Sequence, residues 1–238
     1  MSTIHQAFKK KTSGSPDFAA ELTAMDRVSL FPVPDGQQRA EFIHLANMLL
    51  DFKPANRGAV IAFASSVSGE GASFVSYNTA RQLAHVMNRS VAWVDANFHS
   101  PQRKLAVLGD VTLAEMLREP ERFAHLPGGV NLTLVPAGLD LDGCASDLAS
   151  ERSPALLKLF SQKFDFTVLD CPPILGSVET ELLAARADGL VAVVERRRLK
   201  REIIRSGLEH LASKRVNVLG TVFNRRSYEL PKLIYDRL

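Results

Sequence analysis

Apolar residues along this chain alternate between short continuous runs and stretches with helical spacing. The continuous runs predict strands at Val60–Ala64, Ser90–Val94, Leu132–Val135, Phe166–Leu169, Leu190–Val194 and Val216–Val222. Helical spacing predicts helices near residues 36–52, 73–87, 112–118, 153–163, 178–186 and 200–214. Strands that are apolar throughout are typical of a sheet covered by helices on both faces. The pattern therefore predicts an α/β fold with a doubly wound, mostly parallel sheet.

The two ends of the chain differ from this pattern. Residues 1–34 are polar and contain Ser-Gly-Ser-Pro and Phe-Pro-Val-Pro, which predicts a poorly ordered leader. Asp35 precedes Gln38 by three residues, and this pair predicts the cap of the first helix. We predict one domain over residues 35–226 and a short C-terminal tail over 227–238.

Composition narrows the class of protein. The 238 residues are 46% hydrophobic and 23% charged, as in ordinary globular domains. A net charge of +3 is too small to require nucleic acid as a partner. No apolar run approaches the roughly 18 residues of a membrane span, and the lysines near the start are not followed by the apolar segment of a secretory signal. These features predict a cytoplasmic protein.

A glycine-rich turn lies between the first predicted strand and the following helix. Residues 65–74 read Ser-Ser-Val-Ser-Gly-Glu-Gly-Ala-Ser-Phe. In the phosphate-binding pattern G-x-x-x-x-G-K-[ST], Gly71 and Ser73 match, Ser66 replaces the first glycine, and Ala72 replaces the lysine. Loop N–H groups and the helix dipole favour bound phosphate even without that lysine. The predicted nucleotide-binding residues are Ser68, Gly69, Glu70, Gly71, Ala72, Ser73 and Phe74.

Two later strands each run into an aspartate. Val91–Val94 precedes Asp95, and Thr167–Leu169 precedes Asp170. A carboxylate at the end of a strand beside a phosphate loop can hold Mg²⁺ directly or through water, and a second can polarise an attacking hydroxyl. The alternative is that each aspartate only caps the turn that follows. We predict Asp95 and Asp170 as catalytic residues, and as metal ligands together with Ser73.

These motifs resemble those of bacterial tyrosine kinases (BY-kinases), the MinD/ParA-like P-loop domains of capsule and exopolysaccharide export. The loop at 65–74, the stretch Val91–Pro101 and the run Phe164–Pro173 resemble Walker A, A′ and B of this family. The resemblance spans roughly residues 36–226, and includes Gly129–Gly138 as well as the run ending in Asn224 and Arg225. It implies ATP or ADP with Mg²⁺ as ligands and an Asn224 that faces the nucleotide base.

The chain departs from the family at charged positions. The family has lysine where this chain has Ala72, and Asp-x-Asp-x-Arg where this chain has Asp95 followed by Asn97 and His99. A lost charge-assisted hydrogen bond corresponds to about 1.5–3 kcal/mol, or about one to two powers of ten in affinity. We therefore expect weak nucleotide binding and a larger loss of phosphoryl transfer. A substitute cation could come from Arg103, Lys104 or the basic run 196–201.

Two further departures concern assembly and phosphorylation. The family's Glu-x-x-Arg-x-x-Arg motif of ring assembly aligns with Glu41, His44 and Asn47, so only the glutamate remains. The family's kinases carry a tyrosine-rich tail, whereas the tail here offers only Tyr228 and Tyr235.

The first hypothesis is a catalytically impaired, regulatory BY-kinase-like protein. The resemblance implies that it binds the cytoplasmic ends of a membrane polysaccharide co-polymerase, lies at the inner membrane through that partner, and can form homo-oligomers. One alternative is an active tyrosine autokinase with a non-standard cation. Another is a MinD/ParA-type positioning ATPase, although those proteins carry a lysine early in the loop that is absent from residues 65–68.

Overall fold

The computed structural model describes residues 30–102, 105, 111–127, 131–138, 143–196 and 198–225. The described residues from Val33 onward belong to one compact unit. Most of the predicted leader, the whole predicted tail with Tyr228 and Tyr235, and the candidate cations Arg103 and Lys104 lie outside the described residues. The domain boundaries at 34 and 226 remain predictions.

A single sheet forms the centre of the described domain. Its strands are β1 (Ala59–Ser65), β2 (Val91–Asp95), β3 (Leu132–Val135), β4 (Phe166–Asp170), β5 (Gly189–Glu195) and β6 (Val218–Asn224). They lie in the order β3-β2-β4-β1-β5-β6, and every pairing between them is parallel. The predicted doubly wound α/β fold is confirmed, with β1 in the interior of the sheet.

Seven α-helices are described from end to end, and the last six of them lie between strands. They are α1 (Gly36–Leu50), α2 (Ala72–His85), α3 (Leu113–Arg118), α4 (Cys144–Ala149), α5 (Arg152–Lys163), α6 (Val178–Ala184) and α7 (Arg201–Ser213), with a 3-10 helix at Pro120–His125. The predicted cap of α1 is present, since Asp35 Oδ1 accepts the N–H of Gln38 at 2.8 Å. Helix α4 was not predicted, because its six residues bury only Cys144 and Leu148, too few to show helical spacing.

The last strand begins two residues later than its apolar run predicts. Val216 is buried, and its N–H donates to the carbonyl of Leu211 in the turn that ends α7. β6 instead continues through Phe223 and Asn224, which pair with the end of β5. As an edge strand with half-exposed faces, β6 accommodates such polar and exposed residues at its end.

Helices cover both faces of the sheet. Val60, Ala62 and Ala64 face a buried cluster that includes Phe160 of α5 and Leu183 of α6. On the opposite face Trp93 packs edge-to-face against Tyr77 of α2, with ring centroids 5.7 Å apart. Because helices cover the two faces, ligands in such folds bind beyond the carboxyl ends of the strands.

In the described part of the chain, no helix combines the length and apolar content needed to cross a bilayer.

Candidate functional site

The glycine-rich turn connects β1 to α2 at the carboxyl edge of the sheet. Gly69 and Gly71 have φ angles of 88° and 92°, a left-handed conformation that side chains with a Cβ rarely adopt. Gly71 is the cap residue of the 14-residue helix α2. The predicted strand, turn and helix are therefore present, with the positive end of a long helix dipole at the turn.

Glu70 holds the turn in shape. Its side chain is fully buried, and its carboxylate accepts the N–H of Val67 at 2.9 Å and the N–H of Glu195 at 3.1 Å. The Glu70 side chain thus forms one hydrogen bond within the turn and a second one to the end of β5. Sequence reasoning placed Glu70 among the nucleotide-binding residues, and the structure uses its carboxylate to fix the backbone that would contact phosphate.

Asn224 lies against the same turn from the end of β6. Its Nδ2 donates to the carbonyl of Glu70 at 2.8 Å. A Cβ on Gly71 would lie only 2.2 Å from this nitrogen, so the contact depends on glycine at that position. The structure brings Asn224 to the predicted site, while its role toward a nucleotide base remains a prediction.

The first residues of α2 differ in their surroundings. Ala72, where the pattern requires lysine, is 7% exposed and carries no charge into the site. Ser73 follows it at the N-terminus of the helix. Phe74 points to α1, where its ring packs edge-to-face on Phe42 at 5.7 Å. Of these three, Ser73 is the residue with a hydroxyl available for metal or phosphate chemistry.

Asp95 and Asp170 are direct neighbours across the β2–β4 pair. Asp95 is buried and accepts the N–H groups of Asn97 at 3.1 Å and Gln102 at 2.6 Å. Burial raises its pKa to about 6, although these two hydrogen bonds act in the opposite direction. Asp95 therefore caps the turn that follows β2, as the alternative interpretation of the sequence predicted. It also places negative charge beside Asp170.

Asp170 has a different environment. Its carboxylate is fully buried, and within the described residues neither oxygen accepts a hydrogen bond. Burial, followed by the charge of Asp95, raises its pKa well above the ordinary value. The hydroxyls of Ser73 and Ser76 oppose this rise, but they lie outside normal hydrogen-bond geometry. A buried carboxylate without a partner is costly, and a divalent cation is one way to satisfy it.

One member of the basic run 196–201 lies at the turn. Arg198 donates from Nη2 to the carbonyl of Ser68 at 2.7 Å, and from Nη1 to Glu195 Oε2 at 3.1 Å. Arg225 binds the same Glu195 oxygen at 3.2 Å. Sequence spacing alone could not identify Arg198, because only the pairing of β1 with β5 brings residues after β5 beside the turn.

Other positions that depart from the family motifs lie at the surface. His99 pairs with Glu179 of α6 at 3.2 Å. Glu41, His44 and Asn47 are all exposed on one side of α1. The positions of the ring-assembly motif are thus available at the surface, but two of them lack the arginine charge.

Sequence comparisons give relatives among bacterial tyrosine-protein kinases, while no protein-family model matches the chain. EpsB from Ralstonia solanacearum, which is named as a tyrosine-protein kinase, is 29% identical over 218 residues, covering 87% of this chain and 29% of EpsB. The tyrosine-protein kinase YwqD from Bacillus subtilis is 24% identical over 169 residues, covering 69% of this chain and 71% of YwqD. The chain thus spans less than a third of the length of EpsB.

The solved structures with the same fold include kinase domains, in agreement with the kinases found by sequence. The kinase domain of VpsO superimposes with a TM-score of 0.66 at 19% identity, covering 81% of this chain and 98% of that domain. The kinase domain of the Escherichia coli tyrosine kinase ETK gives a TM-score of 0.68 at 16% identity, covering 81% and 79%. A plasmid partition protein from Borrelia burgdorferi gives 0.54 at 20% identity, covering 76% and 87%. The predicted resemblance to BY-kinases and the MinD/ParA-like P-loop fold are confirmed.

Proposed function

We propose that this chain is a BY-kinase-like regulatory protein with impaired phosphoryl transfer, which binds a membrane polysaccharide co-polymerase. Its relatives support a place in exopolysaccharide or capsule systems, and one of them is named as the succinoglycan biosynthesis transport protein ExoP of Rhizobium meliloti. The co-polymerase would hold the chain at the cytoplasmic side of the inner membrane.

The observation that carries the proposal is Ala72 within an otherwise formed phosphate loop. The turn has its left-handed glycines, its helix N-terminus and the Glu70 contacts that fix its shape. The lysine that neutralises the outer phosphates in the general pattern is absent. Binding depends on the loop as a whole, whereas phosphoryl transfer depends more strongly on charge placed at the transferring group. Loss of the cation should thus impair catalysis more than binding.

The residues present fit a magnesium ion. Asp170 has a buried carboxylate without a hydrogen-bond partner in the described part of the chain, and Ser73 lies beside it. These two residues would hold Mg²⁺, with Asp95 acting through water. The ion would neutralise phosphate charge. Ser73, Asp95 and Asp170 would then position it, and ATP or ADP would bind weakly.

Nucleotide affinity is the first test. Calorimetric titration of the full chain with Mg·ATP at moderate salt should give weak or undetectable binding. A submicromolar dissociation constant would show that another group fully replaces the lysine, and the impaired-enzyme proposal would lose its main support.

Function in export is the second test. In a strain deleted for this gene, Asp95→Ala and Asp170→Ala should support polysaccharide export, because phosphoryl transfer is not the proposed output. Charge reversal at the exposed Lys200 and Arg201 should impair export and co-polymerase binding, since these residues offer a basic surface to a partner. Normal abundance of each variant is the control.

The active autokinase is the alternative that the same experiment separates. Loss of export in both aspartate variants, together with phosphate on Tyr228 or Tyr235 in the unaltered protein, would establish the active enzyme. The position of Arg198 at the loop favours this alternative.

Assembly is the third test. With His44 and Asn47 at the exposed positions where the family has arginine, a ring should not close through α1. Light scattering of the purified chain should show a monomer or dimer. A stable octamer would mean that other contacts close the ring.

A further inference from the structure

The phosphate loop lacks its own lysine, yet a cation lies against it. Arg198 reaches the loop from the segment between β5 and α7 and donates to the carbonyl of Ser68 at 2.7 Å. Its two terminal nitrogens lie 3.2 and 3.3 Å from where a Cβ on Gly69 would be. The guanidinium therefore contacts the outer turn of the loop, in a space that a side chain at position 69 would fill.

The geometry points to a specific role: we propose that Arg198 supplies the positive charge for phosphate binding that Ala72 no longer provides. The ligand would be the polyphosphate of a nucleoside di- or triphosphate. This inference rests on the proposed nucleotide site, and it names the residue on which that site depends.

Arg198 has donors left for such a ligand. A guanidinium carries five N–H groups, and its hydrogen bonds within the described residues are those to Ser68 and Glu195. Its side chain is 40% exposed, so a ligand can reach it from solvent. The planar group suits phosphate oxygens better than a lysine ammonium when it must also hold two protein contacts.

Neighbouring residues fix the guanidinium in place. Glu195 Oε2 binds Arg198 at 3.1 Å and Arg225 at 3.2 Å, so this trio carries a net charge of about +1. The backbone N–H of Glu195 in turn donates to the buried carboxylate of Glu70, which shapes the loop. Arg198 is thus held by its ion pair with Glu195, and Glu195 is itself bonded through its backbone N–H to Glu70 in the loop. This restraint lowers the conformational entropy that Arg198 loses when a ligand binds.

Arg198 would reach a bound phosphate from a different part of the loop than the lysine that it would replace. A lysine at position 72 would start from the first turn of α2, whereas Arg198 approaches from the Ser68 side of the loop. Two cations that contact one bound polyphosphate would act on the same charge. The presence of one cation should therefore reduce the affinity gained from the other, and a double-mutant cycle measures this non-additivity.

A double-mutant cycle on the full chain tests the proposal. Affinities for Mg·ATP and Mg·ADP are measured by calorimetry at about 0.15 M salt, where exposed charges farther apart than about 8 Å are screened. The variants are Arg198→Ala, Ala72→Lys and their combination. Arg225→Ala is the matched control, because it removes the same charge and the same Glu195 contact without touching the loop. The fluorescence of Trp93, the single tryptophan, confirms folding of each variant.

Arg198→Ala should weaken binding about tenfold, at the lower end of the range for charge-assisted hydrogen bonds because the group is partly exposed. Ala72→Lys should tighten binding. In the Ala72→Lys background, Arg198→Ala should change affinity less than about threefold, because the new lysine takes over the charge. Arg225→Ala should have a clearly smaller effect than Arg198→Ala in the natural background.

Three outcomes would overturn the proposal. The first is equal affinity of the natural chain and Arg198→Ala. The second is an equal loss in Arg225→Ala, which would assign the effect to net charge. The third is binding by Ala72→Lys under conditions where the natural chain shows none, which would mean that Arg198 does not replace the lysine. Absence of binding in every variant, including Ala72→Lys, would instead refute the nucleotide site itself.

Discussion

Substitution of Asp95 by asparagine should change the stability of the protein in opposite directions at low and neutral pH. The pKa of Asp95 lies at about 6 in the folded protein, against an ordinary value of 3.8, because the carboxylate is buried. Between about pH 4 and pH 6 the folded state therefore binds more protons than the unfolded state. Stability from this group falls as pH rises through that window and stays low above it.

The magnitude follows from the same values. Each pKa unit corresponds to about 1.4 kcal/mol, so the ionised Asp95 costs the folded state about 3 kcal/mol at neutral pH. Asparagine avoids that cost but loses one of the two acceptors for the N–H groups of Asn97 and Gln102, worth about 1 kcal/mol. We expect Asp95→Asn to stabilise the protein by about 1–2 kcal/mol near pH 7.5 and to destabilise it by about 0.5–1 kcal/mol near pH 3.5, where Asp95 is protonated in both states.

Urea unfolding followed by the fluorescence of Trp93 measures this difference, since the side chain is fully buried in the folded protein. A metal chelator is included, because bound Mg²⁺ would favour the ionised carboxylates. Asp165→Asn is the control: its carboxylate also accepts a backbone N–H, from Ser90 at 3.1 Å, but its side chain is 36% exposed. If Asp95→Asn destabilises the protein equally at both pH values, burial does not oppose ionisation here and the reasoning is wrong.

Two further predictions concern the backbone and one ion pair. Gly71→Ala should destabilise the protein by about 2 kcal/mol or more, because a Cβ there meets Asn224 at 2.2 Å in addition to left-handed strain. Gly143→Ala, with φ 80° and no atom of the described residues within 4 Å of the added Cβ, should cost only the strain of about 1 kcal/mol. Asp188→Ala should cost about 1–3 kcal/mol because it also leaves the N–H of buried Val60 unpaired, whereas Arg57→Ala should cost less than about 1 kcal/mol. Urea unfolding measures both comparisons, and equal costs within either pair would contradict the structural reasoning.

The main elements of the fold were predictable because their sequence signals are local. The buried strands are continuous apolar runs, and β1, β2 and β4 lie within one residue of their predicted bounds at each end. The short helix α4 was missed, because its two buried residues are too few to show a helical period. β6 was predicted two residues too early, because Val216 lengthens the apolar run although it lies in the turn that ends α7.

Some residues of the candidate site also have a local sequence signal, and others do not. The glycine-rich turn and the aspartates at the strand ends are marked in the sequence, because each needs a particular residue type directly after a strand. The sequence therefore determined that a glycine-rich turn follows β1 and that Ala72 stands where the phosphate-binding pattern has lysine.

The tertiary structure decided what surrounds that loop. Asp95 and Asp170 become direct neighbours only through the β2–β4 pairing, and burial then sets their protonation. Arg198 is more than 120 residues from Ser68 in sequence, and it reaches the loop only because β5 pairs with β1. Charge and burial depend on distances in space, which the order of residues along a chain does not fix until the sheet has assembled.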